Sequence, residues 1–230
     1  MHDYRWSNDW FQNTRYGKRG TLAKESTQQL FERLLVPMAQ AGGCRRILEL
    51  GLAEGRSSIW FMENLMPELW VGIDAWQWGR QNMKEYVQKQ EKNFWHNMRE
   101  LAAAQGGTPG ALNFPSVNFA WWDIGNTKCQ TWKKLSQQWL IEDADDHFDT
   151  FDLIYLDGDH TGPGTILDAV LCWRKLAIGG IMIFDDFDRR WHNARPCTHE
   201  AVLAFWSCHE HFAEKVFENR FQFWIRKKAQ

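Results

Sequence analysis

From Cys44 onward one pattern recurs along the chain. A short apolar run rich in β-branched residues ends in Gly or Asp, and a longer stretch at helical period follows. Strands that are apolar on both faces belong in a parallel sheet covered by helices on both sides. The strand candidates are RILELG (46–51), LWVGID (69–74), VNFAWWD (117–123), FDLIYLD (151–157) and GIMIFDD (180–186). Helices are predicted near 56–65, 80–104, 128–140, 164–176 and 198–212. The fourth of these carries Ile166, Leu167, Val170, Leu171 and Leu176 at core-facing spacing. EKVFE and FQFWIR, separated by Asn219 and Arg220, read as an antiparallel hairpin at the sheet edge. The expectation is five parallel α/β units closed by a hairpin.

Residues 1–43 precede the first strand and read as a helical, aromatic-rich flank or lid, leaving 44–230 as one catalytic-sized domain. The connection from Asp74 to Val117 is too long for one crossover helix and contains AAAQGGTPG (102–110), so loops are expected to overhang the active edge. The acidic run EDADDHFD (142–149) reads as a solvated connector. With 27 Lys and Arg against 29 Asp and Glu, the net charge of −2 gives no reason to expect a nucleic-acid partner. The five cysteines form no C-x-x-C pair, which fits a reducing cytoplasm rather than a disulfide or zinc framework. The N-terminus is polar and aromatic, and no apolar run approaches ~18 residues, so neither a signal peptide nor a membrane span is expected. The 15 tryptophans are chiefly packing residues, a minority of which can line a pocket, and this aromatic content makes a homodimer plausible.

In an open parallel sheet, ligands bind beyond the carboxyl ends of the strands, where strand order reverses. The first strand ends in ELGLAEGRSS, placing Glu49, Gly51, Ala53, Gly55 and Ser57 in the turn into the first helix. Its glycines let the backbone approach a ligand, and the helix N-terminus attracts a carboxylate. The G-x-G-x-x-G of a dinucleotide site is missing, which disfavours an NAD-dependent oxidoreductase or epimerase. Asp74, closing the second strand, is placed to take both ribose hydroxyls of an adenosine ligand, and Asp123, closing the third, to accept from an adenine amino group. Trp76 and Trp78 follow the ribose acid and either stack on the adenine or serve packing.

These ordered motifs resemble the class I S-adenosylmethionine-dependent methyltransferases, and within them the O-methyltransferase-like methyltransferase family 24. The resemblance runs from YRWSNDWF through RRILELGLAEGRSSIWF, VGIDAW and FDLIYLDGDH to LAIGGIMIFDDF. It implies a Rossmann-like, seven-stranded, mostly parallel sheet with an antiparallel last strand and helices on both faces. It also implies Gly51, Ala53 and Ser57 around the methionine moiety, Asp74 on ribose and Asp123 on adenine, although Ala53 stands where the wider class commonly has glycine. In the catechol- and caffeoyl-type O-methyltransferases the corresponding strand ends bind a metal, which implies Asp157, Asp185 and Asp186 as ligands. An all-oxygen set suits Mg²⁺, Mn²⁺ or Ca²⁺. His160 stands where metal-dependent relatives carry a catalytic Lys, and with Asp157 forms the expected catalytic pair, the imidazole acting as general base. Asp159 and Asp188 are equally readable as N-caps of the following helices. The expected reaction is O-methylation of a small-molecule hydroxyl on a sugar, phenolic or natural product. The aromatic leader Tyr4, Trp6, Trp10 and Phe11 is expected to cap the acceptor. A protein that binds S-adenosylmethionine without chemistry is the other alternative.

Overall fold

A computed structural model describes residues 3–7, 25–77, 83–107, 119–142, 147, 149–188 and 197–229. Its elements, in chain order, are α1 (Thr27–Gln40), β1 (Arg46–Leu50), α2 (Arg56–Asn64), β2 (Leu69–Ile73), α3 (Lys84–Ala104), β3 (Phe119–Ile124) and β4 (Thr127–Trp132), then α4 (Ser136–Glu142), β5 (Phe151–Leu156), α5 (Gly162–Trp173), β6 (Leu176–Phe184), α6 (Thr198–His209), β7 (Ala213–Glu218) and β8 (Phe223–Lys227). The strands form one sheet in the order β3-β4-β2-β1-β5-β6-β8-β7. Neighbours from β4 to β6 pair in parallel, whereas β3 and β8 run antiparallel to theirs.

Alternation along the strands sorts the apolar side chains into two layers. Ile47, Trp70, Leu153, Tyr155, Ile181, Ile183 and Trp224 face α1, α2 and α3. Leu48, Leu50, Val71, Ile73, Ile154, Leu156, Met182 and Phe184 face α4, α5 and α6. The flank that precedes the first strand is built into this core. Ser26 and Gln29 form a capping box that starts α1, and its Phe31 packs 5.4 Å from Phe61, 5.6 Å from Tyr155 and 5.9 Å from Trp224, ring to ring.

The Rossmann-like architecture and the antiparallel last strand are as expected, but among the described residues the sheet has eight strands rather than seven. The surplus strand arises where a helix is predicted at 128–140. Residues 127–132 alternate buried Thr127, Cys129 and Thr131 with the less buried Lys128, Gln130 and Trp132 on the other face, which is a strand period. A two-residue loop at Gly125 and Asn126, with Gly125 at φ +55°, folds β3 back onto β4. The true third parallel strand is therefore β4, and only Ser136–Glu142 of the predicted segment is helical. The C-terminal hairpin forms as read, with β8 inserted between β6 and β7. Among the described residues no helix is long and apolar enough to cross a membrane.

Candidate active site

Strand order reverses between β1 and β5, and the loops leaving these two strands lie back to back. Asp157 N–H donates to the Leu50 carbonyl at 2.8 Å, and Gly51 N–H to the Ile73 carbonyl at 2.9 Å. A Cβ on Gly51 would lie 2.2 Å from the Asp157 carbonyl oxygen, and Gly51 has φ +86°, so both contact and conformation require glycine there. The turn continues through Ala53 at φ +46° and Gly55 at φ +82° before α2 begins.

Beneath this turn Glu49 is wholly buried, accepting from the Ser57 hydroxyl and, at 2.9 Å, from the Trp70 indole N–H. Burial pushes its carboxyl up to about 7, against the pull of those donors. Asp74 holds the turn from the side. Its Oδ2 accepts from the N–H groups of Leu52 (2.8 Å) and Ala53 (2.9 Å), and its Oδ1 from Trp76 N–H (2.6 Å). Burial raises its carboxyl above the ordinary range while the three backbone donors oppose the shift. Trp76 is 6% exposed, packs 5.2 Å from Phe94 and 6.0 Å from Trp95, and donates its indole N–H to the Ala53 carbonyl at 3.0 Å. Its place is behind the turn, which it clamps through Ala53. Trp78, Trp10 and Phe11 lie outside the described residues.

Asp123 is not at this edge. It ends an antiparallel strand and pairs with Lys128 at the start of β4, on the opposite edge of the sheet, so the expected adenine contact is corrected. The carboxyl end of β4 instead presents Trp132, whose carbonyl accepts from Asp74 N–H at 3.0 Å, and Lys133, paired with Glu91 at 2.5 Å.

At the ends of β5 and β6, Asp157, His160 and Asp186 converge. His160 Nε2 lies 3.7 Å from Asp157 Oδ1 and 3.7 Å from Asp186 Oδ2. One ligand atom from each of the three lies within 4.8 Å of the others. The loop carrying His160 is fixed locally. Thr161 N-caps α5, accepting from Gly164 N–H, and Asp159 Oδ1 accepts from Thr161 N–H at 2.8 Å, so Asp159 shapes the turn without being the cap. The His160 carbonyl accepts from the Thr198 hydroxyl at 3.1 Å.

Asp185, expected as a ligand, continues the alternation of Ile181 and Ile183 into the core. It is 3% exposed and accepts from the Tyr155 hydroxyl at 2.9 Å and the Gln222 amide at 3.1 Å. Asp186 leaves the strand alternation at φ +52° and turns outward beside His160. The cluster thus exchanges Asp185 for His160. Asp188 pairs with Arg220 at 3.0 Å, and the residues it was expected to cap, directly after it, lie outside the described residues.

The N-terminal leader, expected from its aromatic residues to cap the acceptor, is tied to the turn by polar contacts that the sequence reading did not include. Residues 3–7 lie along α2 and α3 next to the turn, bonded to Glu54 and Asn97, and Asn93 joins the same Glu54 carboxylate. The trace of these contacts in the sequence is a set of polar residues, Gln90, Asn93 and Asn97, on the buried face of a helix that otherwise buries Phe94, Met98 and Leu101.

A family model described as a methyltransferase domain, methyltransferase family 24, matches residues 48–187. No curated protein matches the sequence. Several solved structures share the fold. One is a Corynebacterium glutamicum protein at 13% identity and TM-score 0.56, with 88% of this chain and 82% of that chain covered. Another is an O-methyltransferase from Bacillus cereus in complex with S-adenosylhomocysteine, at 16% identity and TM-score 0.55, covering 85% and 80%. The O-methyltransferase NovP aligns at 15% identity and TM-score 0.57, covering 92% and 86%. The glycine turn at the β1/β5 reversal lies inside the matched span, as do the strand ends bearing Asp157 and Asp186, and the chain belongs to methyltransferase family 24 of the class I S-adenosylmethionine-dependent methyltransferases.

Proposed function

We propose that this methyltransferase moves the methyl group of S-adenosylmethionine to a hydroxyl oxygen of a small acceptor held at Asp157, His160 and Asp186. The observation that carries the reading is the contact between turn and cluster. Gly51 abuts the backbone of Asp157, so a donor lying in the turn and an acceptor lying on the cluster are neighbours. Methyl transfer needs little beyond in-line alignment and a deprotonated nucleophile, and such juxtaposition supplies the alignment.

Gly51, Ala53, Gly55 and Ser57 form the methionine side of the donor site, with the α2 N-terminus facing its carboxylate. Glu49 supports that turn from below and Trp76 from behind. A carboxylate offers about four lone-pair sites. With three backbone donors already on Asp74, it has room for one ribose hydroxyl rather than two.

Two carboxylates and an imidazole fit a divalent ion. The nitrogen donor favours Mn²⁺ over Mg²⁺ and Ca²⁺, both of which take oxygen ligands. When bound, such an ion lowers the pKa of a hydroxyl it touches and fixes its direction. His160 then acts as a ligand rather than as the general base. We assign the methyltransferase unit to 44–230 and treat 1–43 as its flank. Oxygen as the acceptor atom is supported by the likeness to two proteins described as O-methyltransferases.

The test is transfer of a labelled methyl group to a panel of catechols, phenols, sugars and amines, with Mn²⁺, with Mg²⁺ and with a chelator. Labelled ethers formed only with metal support the reading. Full turnover in the chelator refutes the metal, and labelled amines alone refute the O-acceptor.

A further inference from the structure

The Gly51–Gly55 turn is tied to the N-terminal segment by buried polar groups. Glu54, 5% exposed, accepts at Oε2 from Ser7 N–H (2.7 Å) and at Oε1 from the Ser7 hydroxyl (2.5 Å) and the Asn93 amide (2.8 Å). Asn97, fully buried, donates to the Glu54 carbonyl (3.0 Å) and to the Arg5 carbonyl (3.0 Å), and accepts from Arg5 N–H (2.6 Å). The amide of Asn97 thus pairs with Arg5 much as a neighbouring strand would. Farther out, Arg56 at the start of α2 stacks 4.6 Å over Trp6, and Tyr4 donates to Glu63 at 3.0 Å.

The position of Glu54 gives these contacts their consequence. The residue before it, Ala53, donates its N–H to Asp74 and accepts from Trp76, and the residue after it, Gly55, is the N-cap of α2. Side-chain capture of Glu54 from one flank and backbone capture of Ala53 from the other hold the turn between them. Among the described residues, two of the three donors on the Glu54 carboxylate come from Ser7, so undocking the segment removes both and leaves the Asn93 amide. The turn is then free to rearrange toward solvent.

We propose that Glu54 is a positioning residue through which docking of residues 3–7 holds the turn in its binding shape, so that segment docking and cofactor binding strengthen one another. The inference rests on assigning the turn to S-adenosylmethionine. Linkage makes it quantitative, because the factor by which docking tightens the cofactor must equal the factor by which the cofactor tightens docking.

Ser7→Pro removes both Ser7 donors to Glu54, and Ser7→Ala removes the hydroxyl alone. Titration of S-adenosylhomocysteine into the full-length chain is expected to give an affinity about tenfold weaker for Ser7→Pro, with Ser7→Ala between the two, as couplings of this kind commonly run ~5–150-fold. In the wild type, saturating S-adenosylhomocysteine is expected to slow hydrogen exchange at the Arg5 and Ser7 amides by a similar factor. Equal affinities for wild type and Ser7→Pro overturn the inference and leave the cofactor reading standing. Weakened binding with no change in exchange at Ser7 also overturns it, because the loss is then structural. Absence of binding to the wild type overturns the cofactor reading, and this inference with it.

Discussion

Gly51→Ala tests the geometry that brings the turn and the cluster together, and Gly42→Ala supplies its control. Both glycines lie in the left-handed region, at φ +86° and +87°. A Cβ on Gly42 meets nothing within 4 Å, whereas one on Gly51 would lie 2.2 Å from the Asp157 carbonyl oxygen, 2.5 Å from its carbon and 2.8 Å from Gly158 N. Holding a non-glycine residue left-handed costs about 1–2 kcal/mol, and this applies at both sites. Overpacking against backbone adds about 1–3 kcal/mol at Gly51 alone. Gly51→Ala should therefore destabilise by about 2–5 kcal/mol and Gly42→Ala by about 1–2 kcal/mol. Urea unfolding followed by tryptophan fluorescence, with slopes held equal, measures the difference. Gly51→Ala should also lose affinity for S-adenosylhomocysteine while Gly42→Ala retains it. Equal unfolding midpoints for the two variants would refute the close approach of β1 and β5 on which the site rests.

Adjacent aspartates should separate cleanly. Asp186→Asn should weaken Mn²⁺ binding, followed by paramagnetic resonance, by tenfold or more with little change in stability. Asp185→Asn should cost about 1–3 kcal/mol by disturbing the bonds from Tyr155 and Gln222, with Mn²⁺ affinity kept. A reversed pattern contradicts the exchange of Asp185 for His160. Glu49 gives a pH signature. Its folded carboxyl keeps the proton up to about 7 while the unfolded chain releases it near 4.5, so the folded state binds more protons in that window. Its contribution to stability is complete below pH 4.5 and is lost as pH rises through 7, a fall of about 3 kcal/mol at ~1.4 per unit. Glu49→Gln should flatten that slope, and an unchanged slope in urea titrations from pH 4.5 to 8 argues against a buried, protonated Glu49. Trp76→Phe keeps the packing on Phe94 but removes the bond to Ala53, and should cost about 1 kcal/mol by thermal unfolding.

Four of the parallel strands were legible because they are apolar on both faces and stop at Gly or Asp. β4 was not, because its inward residues are only Thr127, Cys129 and Thr131, and Lys128, Lys133 and Lys134 give the stretch a helical look. Misplacing it displaced the third strand and took Asp123 to the wrong edge of the sheet. The Asp-Asp pair after β6 was visible as chemistry, but which of the two faces outward depends on where the strand's alternation ends. That is decided by the φ +52° at Asp186, a tertiary outcome no local pattern announces. Partners separated by 47 and 92 residues, as Ser7 from Glu54 and Arg5 from Asn97, leave only the faint trace of asparagines on a buried helix face.

The most direct test of the central claim is isothermal titration of S-adenosylhomocysteine into the full-length protein, alone and with Mn²⁺, for the wild type and for Asp74→Ala. Micromolar binding to the wild type that Asp74→Ala abolishes is the result the account predicts, with acceptor-dependent methyl transfer following once Mn²⁺ is present. No binding by a folded wild type, or equal binding by Asp74→Ala, would contradict the placement of the donor in the turn at Gly51.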